Sequence, residues 1–274
     1  MDSSSIDSDI ESKVNRLKET SQVILVRHAR SEYNLGVIEL HKKNADDEEF
    51  RDLASNMKFR DWGLAPEGVE QCIKAQSIVN ELSIHTVFVS CLRRTLLTAY
   101  HVFKTHPSFS EIKFIIVPKM KEAIEGCDDI PADMDQTIEE FSSLLPNLDT
   151  HLLEGYKNKT NYFLEDVYTD DPDELKGSIS ELIAKKFPQP AESLYSVYLR
   201  ATATKKYIKE YLESNDIPKS SKIVLVSHYT FLMMYTGNWD EAEIGKHMKE
   251  PEECREFDNC EFVSDPNDYT KVSN

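Results

Sequence analysis

The chain has no excess of basic residues to offer a polyanion: 32 lysines and arginines stand against 49 aspartates and glutamates, for a formal net charge of -17 over 274 residues. Counterion release from nucleic acid needs a basic face, so the balance argues against a nucleic-acid partner and disfavours anionic membranes. The start, from Met1 to Asp9, is acidic where a secretory signal has a basic and then an apolar stretch, and no apolar run approaches membrane-spanning length. Cysteine is sparse and odd in number: Cys72, Cys91, Cys127, Cys254 and Cys260, with no C-x-x-C pair of the zinc or redox type. Free thiols and a cytoplasmic location are expected. There is no internal repeat and no extended low-complexity tract.

What is present fits a soluble globular chain, with 40% hydrophobic and 30% charged residues. Residues 1–20 read as a polar N-terminal arm, frayed except for a short helix around Ser12 to Lys18. Residues 21–274 read as one domain. Four short apolar runs, at residues 23–26, 86–89, 113–117 and 222–226, look like parallel strands covered on both faces. Between them lie helical patterns at Pro66 to Leu82, Leu92 to Phe103 and Glu192 to Glu213. The stripe Val69, Cys72, Ile73, Gln76, Val79, Leu82 is the predicted buried face of the first.

Strands alternating with helices predict a three-layer α/β/α fold with a mainly parallel sheet. Residues 35–60 and 126–190 break the alternation and are expected to be insertions over one end of the sheet, the second a helical cap or lid. It holds an acidic turn at Asp170 to Glu174 and a boundary at Phe187-Pro-Gln-Pro190. The tail after Pro251 is acidic, with one edge strand expected around Glu261 to Val263.

Ligands of open parallel sheets bind beyond the carboxyl ends of the strands. The residues there are Arg27 and His28 after the first run, Arg94 after the second, Glu122 after the third and His228 after the fourth. Two imidazoles, two guanidiniums and a carboxyl on one rim suit a phosphate dianion, because arginine forks pair with phosphate oxygens and a neutral imidazole can attack phosphorus. The arginines would keep His28 neutral. Glu122 is the carboxyl available to protonate a leaving oxygen, and His228 with the arginines would hold the transferring oxygens.

The segment Leu25-Val-Arg-His-Ala-Arg-Ser-Glu-Tyr-Asn34 resembles the L-x-R-H-G-x-S-x-x-N signature of the histidine phosphatase superfamily, in its phosphoglycerate mutase-like branch. Asp61-Trp-Gly-Leu-Ala-Pro-Glu-Gly68 is similar to that family's D-x-x-L-T-x-x-G, and Ser90-Cys-Leu-Arg-Arg-Thr95 to its S-x-L-x-R-T. Met120-Lys-Glu122 and Val226-Ser-His-Tyr229 resemble its acid and second-histidine segments, with Glu192, Ser193 and Arg200 matching residues that precede the latter. The likeness covers about residues 22–235.

It implies a phosphoglycerate mutase-like fold and a phosphoric monoester hydrolase with His28 as phosphorylated nucleophile. Arg27, Arg94, His228 and Asn34 become substrate contacts and Glu122 the proton donor, with no metal and no cofactor. A phosphorylated small molecule or a phosphoprotein is the implied substrate, and oligomeric state stays open. Three positions depart from the pattern. Ala29 replaces a glycine, which strains the chain if that position needs positive φ; Ala65 replaces a hydroxyl residue; Tyr229 replaces a glycine and could narrow the pocket mouth.

Other readings stand beside these. A mutase would need a closed site, and its usual tryptophan is Tyr33 here; the acid phosphatase branch is not matched by Ser31 to Asn34 or by His228-Tyr229. A catalytically weak phospho-ligand binding or scaffold protein is the third alternative. Asn34 and Ser31 can each serve as turn or helix caps, and Cys91 as a small buried filler. Lys42, Lys43, Arg51, Lys58 and Arg60 either read an anionic substrate or form a solvated face.

Overall fold

In a computed structural model, residues 3–157, 161–168, 171–237, 239, 255–267 and 269 are described. Six strands form one sheet: β1 (Val23–Arg27), β2 (Ile84–Val89), β3 (Lys113–Ile116), β4 (Leu148–Asp149), β5 (Lys222–Ser227) and β6 (Phe262–Ser264), in the order β4-β3-β2-β5-β1-β6. All pairings are parallel except that of β6, which runs antiparallel to β1 at the edge. The four apolar runs are the four central strands, and β6 is the expected edge strand. Pro251, Cys254 and Asp170 lie outside the described residues.

Side chains alternate across the sheet as the pleat requires. Ile24, Val26, Val87, Val89, Val224 and Val226 face one core, shared with α1 (Ser3–Glu19), α4 (Pro66–Val79) and α5 (Arg93–Phe103). Val23, Leu25, Phe88, Ile223 and Leu225 face the other, under α8 (Leu194–Ser214) and α9 (Tyr229–Thr236). This is the expected three-layer α/β/α arrangement. Burying each such aliphatic side chain stabilises the fold by about 1.5–3 kcal/mol.

Three details differ from the sequence reading. Residues 3–19 are not a frayed arm but one 17-residue helix, α1, whose Val14 and Leu17 are buried against the α4 side of the sheet. Its apolar stripe is sparse, Ile10, Val14 and Leu17, and an otherwise polar sequence hides it. On α4 the buried positions are Gly68, Cys72, Ala75 and Val79, and Ile73 is 50% exposed. The small Gly68 and Ala75, not the larger Ile73, let this helix approach the sheet.

The second insertion is only partly a cap. It supplies β4 and the core residues Phe141, Leu145 and Leu153. The rest joins the first insertion: α3 (Asp47–Ser55) packs on α7 (Ile179–Lys186), and Ala54, Ile124, Cys127, Ile130, Phe163 and Ile183 form a separate small core. At Phe187-Pro-Gln-Pro190 a cis peptide precedes Pro188. Among the described residues no helix is long and apolar enough to cross a membrane.

The C-terminus of α1 is held by a buried lysine. Lys222 Nζ, at the start of β5, donates to the carbonyls of Lys18 at 3.0 Å, Ser21 at 3.1 Å and Thr20 at 3.3 Å. A cation there satisfies carbonyls that the helix end leaves open. Lys222→Met is expected to lower stability by about 2 kcal/mol and to expose the 19–22 junction to protease. Urea titration with limited proteolysis checks this; an unchanged midpoint and cleavage pattern would mean that packing alone holds α1.

Candidate active site

The carboxyl ends of β1, β5 and β2 lie side by side in register, with Arg27 opposite Ser227 and Val89 opposite Val226. His28 and His228 therefore emerge next to each other, ring centroids 5.1 Å apart, and both are buried. The turn after His28 is fastened to the Asp61–Gly68 segment. Ser31 bridges Leu64, and the Ala65 N–H donates to the Arg30 carbonyl at 3.0 Å. Gly68 is required here, since a Cβ on it would sit 2.1 Å from that same carbonyl oxygen. The two motifs are one structural unit.

His28 Nδ1 lies 2.8 Å from the Ala29 carbonyl oxygen, which can only accept, so Nδ1 carries the proton. Nε2 is then the lone-pair atom, and it accepts from Arg94 Nε–H at 3.3 Å. Burial first, and then the charges of Arg94 and Arg27, lower the His28 pKa well below the ordinary imidazole value. The sequence reading credited the arginines; the absence of water is the larger cause. Ala29 is not strained: the described non-glycine residues with positive φ are Asn44, Asp61, Asn147 and Cys260.

Arg94 stands on the first turn of α5, buried, with its fork committed to Asp129 Oδ1 at 2.6 Å and the Asp128 carbonyl at 2.7 Å. Asp128 Oδ2 is 3.6 Å from the same guanidinium. The helix start is tied by Asp61, at φ 50°, whose carboxylate accepts from the N–H of Arg93 and of Ala132, each at 2.7 Å. Arg27 lies over the Tyr229 ring at 5.2 Å and donates to the Phe257 carbonyl at 2.8 Å. Its Nε is buried without a partner. Tyr229 thus supports a guanidinium at the position where a glycine was expected.

Glu122 performs a second task. Its Oε1 accepts from the N–H groups of Ala123 at 2.9 Å and Phe231 at 3.1 Å, and its Oε2 from Thr230 N–H at 3.1 Å. It caps α9, whose N-cap residue His228 makes no side-chain cap. Amides favour the carboxylate, yet burial and the nearby Asp129 prevail and raise its pKa. Both Oε1 lone pairs are taken, so a proton on this group belongs on Oε2.

His228 Nε2 lies 2.8 Å from Ser90 Oγ, and its Nδ1 is buried with no partner among the described residues. Burial and then Arg94 push its pKa well below the ordinary value, so both imidazoles are neutral. Asn34 closes a capping box with Ser31 at the start of α2 (Glu32–Lys42), its Oδ1 accepting the Ser31 N–H at 3.1 Å. That is the cap reading. Ala65, in the same way, is the N-cap of α4 without a side-chain bond, so the missing hydroxyl is a lost helix cap.

The first insertion's cations are largely spoken for: Lys42 pairs with Glu39, Lys43 with Glu49, and Arg60 with the Pro131 carbonyl and Asp133. Cys91 is a buried filler whose thiol burial pushes up to about 12.

Below the rim lies a buried ion network. Glu192 accepts from Arg200 at 2.9 and 3.0 Å, from Lys121 Nζ at 2.8 Å and from Ser196 Oγ at 2.7 Å. Arg200 also donates to the carbonyls of Lys119, Lys121 and Glu122, fixing the backbone that carries Glu122. Two cations share one carboxylate, so Glu192 falls to about 2 despite burial, while burial and Arg200 push Lys121 down as well.

Sequence reasoning missed Asp128, Asp129 and Ser90. The aspartates carry no periodic signal at the head of an insertion, whereas Ser90 lay inside a quoted motif.

No protein-family model and no curated protein matches the chain. Solved structures do resemble it at low identity. A mycobacterial glucosyl-3-phosphoglycerate phosphatase matches at 14% identity over 78% of this chain and 76% of its own, with a TM-score of 0.41. The alpha-ribazole phosphatase of Shigella flexneri matches at 15% over 77% and 75%, TM-score 0.41. A phosphoserine phosphatase from Entamoeba histolytica, in complex with 3-phosphoglyceric acid, matches at 16% over 77% and 76%, TM-score 0.36.

Glu192→Gln leaves two buried cations short of their counter-charge and is expected to cost about 3–5 kcal/mol. Because the folded pKa is depressed, the carboxylate's contribution is complete above its unfolded value of 4.5 and is lost as pH falls toward about 2. The gap in melting temperature between wild type and variant should be widest above pH 4.5 and shrink below it. A gap independent of pH would show that the carboxylate's charge is not what stabilises the network.

Proposed function

We propose that the protein is a phosphomonoester phosphatase of the histidine phosphatase superfamily, in the phosphoglycerate mutase-like branch, working through a phosphohistidine on Nε2 of His28. The observation that carries this reading is the state of His28: neutral, buried, with Nδ1–H tied to a carbonyl and the Nε2 lone pair facing Arg94 Nε. Such an imidazole is a poised nucleophile beside a guanidinium fork.

In the first step Nε2 forms a bond to phosphorus as the ester P–O bond breaks, and the proton on Glu122 Oε2 passes to the departing oxygen. Arg94 Nε–H transfers from the lone pair it now caps to a phosphoryl oxygen, with Arg27 and His228 as further donors. In the second step water attacks phosphorus, its proton goes to Glu122, and the N–P bond breaks to release phosphate. Asn34 contributes by closing the turn after His28. The charge compensation in this scheme comes from these side chains, with no metal or cofactor assigned to it. The substrate is a phosphorylated small molecule or a phosphoprotein, and the half-buried to buried free thiols Cys72, Cys91, Cys127 and Cys260 support a cytoplasmic setting.

Phosphate release from p-nitrophenyl phosphate without added metal is the test. His28→Ala should lower it by about 10³-fold or more, and equal rates would overturn the nucleophile. Glu122→Gln should slow an alkyl phosphate by about 10²-fold but p-nitrophenyl phosphate far less, since nitrophenolate leaves without a proton. Should Asp128→Asn show that pattern instead, the acid is Asp128, whose buried Oδ1 lacks a partner and whose pKa burial raises.

With an alkyl phosphate, whose leaving oxygen needs the proton, the rate should be highest at mildly acidic pH. His28 stays neutral there because its pKa is lowered, while Glu122 keeps its proton to a higher pH than an ordinary glutamate because its pKa is raised. Deprotonation then imposes a falling alkaline limb, which Glu122→Gln removes. A rate that climbs steadily into alkaline pH excludes Glu122 as the acid. Phosphoryl return to a sugar acid without net hydrolysis would favour the mutase reading, and phosphate-ester binding without turnover the scaffold reading.

A further inference from the structure

The second histidine has a defined job only if its proton sits on the right nitrogen. His228 Nδ1 is buried and has no partner, whereas Nε2 is 2.8 Å from Ser90 Oγ. A hydroxyl can donate or accept at that contact, so the direction must come from what else Ser90 Oγ does. It accepts the Leu92 N–H at 3.4 Å, and among the described residues His228 Nε2 is the one acceptor its own proton meets. Its backbone is pinned on both sides: the Ser90 N–H donates to the Val226 carbonyl at 3.1 Å, and the Ser90 carbonyl accepts from Thr95 Oγ1 at 3.0 Å. Ser90 is fully buried, so no water competes for Nε2 through it.

We propose that Ser90 is a positioning residue: its hydroxyl donates to His228 Nε2, which forces the imidazole proton onto Nδ1 and makes that atom a donor held for a phosphoryl oxygen. This rests on the phosphatase reading for its purpose, but not for its geometry. The two histidines then have the same tautomer, Nδ1–H, with opposite uses. His28 spends its N–H on the Ala29 carbonyl and attacks with Nε2, while His228 spends Nε2 on Ser90 and keeps its N–H for the transferring group. The unpartnered Nδ1 is what a buried donor looks like when its acceptor arrives with the substrate. With the other tautomer, a lone pair would face the phosphoryl oxygens and repel them.

The tautomer is read directly from the imidazole ¹⁵N chemical shifts of histidine-labelled protein, with His228 assigned by His228→Asn. Wild type should show the proton on Nδ1, and Ser90→Ala should shift population toward Nε2–H. Orthovanadate affinity and kcat/KM should fall by about 10²-fold in Ser90→Ala and be retained in Ser90→Thr. Asparagine places an amide N–H near the Nδ1 position without needing Ser90. In the His228→Asn background, Ser90→Ala should therefore have no added effect, which separates loss of the tautomer from loss of fold.

Wild-type protein with the His228 proton on Nε2, or an unchanged vanadate affinity in Ser90→Ala, overturns the assignment while leaving the phosphatase reading intact. The Nδ1–H tautomer in a protein that neither binds vanadate nor releases phosphate upholds the role of Ser90 and overturns the phosphatase reading.

Discussion

The Glu122 and His228 side of the rim hangs from one buried carboxylate. Glu192 neutralises Arg200 and Lys121 in a space from which water is excluded, and Arg200 in turn grips three consecutive-turn carbonyls between Lys119 and Glu122. Isolated, any of these charges would be costly to bury. Together they fix a loop that would otherwise follow β3 with little to shape it. That loop delivers Glu122, Glu122 caps α9, and α9 begins at His228. A single ion network thus sets Glu122, the second imidazole and the angle at which α9 leaves the sheet.

The site is less cationic than its motif residues suggest. Arg94 is held by Asp129 and lies close to Asp128, and Glu122 lies near enough to affect both arginines. Arg94 is aimed by Asp129, and Arg27 by the Phe257 carbonyl and the Tyr229 ring, so neither is left loose. With both imidazoles neutral, recognition of a dianion relies on aimed N–H groups as much as on net charge. That suits a chain whose overall charge would repel anions at a distance.

The sheet was legible because its central strands are uninterrupted apolar runs, a pattern that parallel strands buried on both faces require. The rim followed from strand direction alone, which is why His28, His228, Arg94 and Glu122 could be listed together. What sequence could not show is which atoms those groups already satisfy. Asn34 reads as a ligand or a cap until the Ser31 amide is seen on its Oδ1. Glu122 reads as a free acid until three amides are counted on it. α1 was read only as a short helix around Ser12 to Lys18 and β4 was missed, because a stripe of a few apolar residues and a two-residue strand fall below what periodicity can distinguish from loop. Asp128 and Asp129 depend on a long-range contact with α5, and no local pattern encodes that.

The strand that leads into His28 is held by segments distant along the chain. β1 pairs only with β5 and β6, and the turn after it is clasped by Asn259, which donates to the His28 carbonyl at 2.9 Å, and by the Cys260 N–H on the Arg27 carbonyl at 3.0 Å. Both partners lie about two hundred or more residues downstream in sequence. Closing loops of that length costs more chain entropy than closing local ones. His28 is therefore held in its final setting only when the segment carrying Asn259 and Cys260 is seated against this turn. A chain in which that segment had not yet docked would carry His28 as an ordinary exposed histidine, with no selected tautomer and no lowered pKa, so the properties of this imidazole belong to the completed fold.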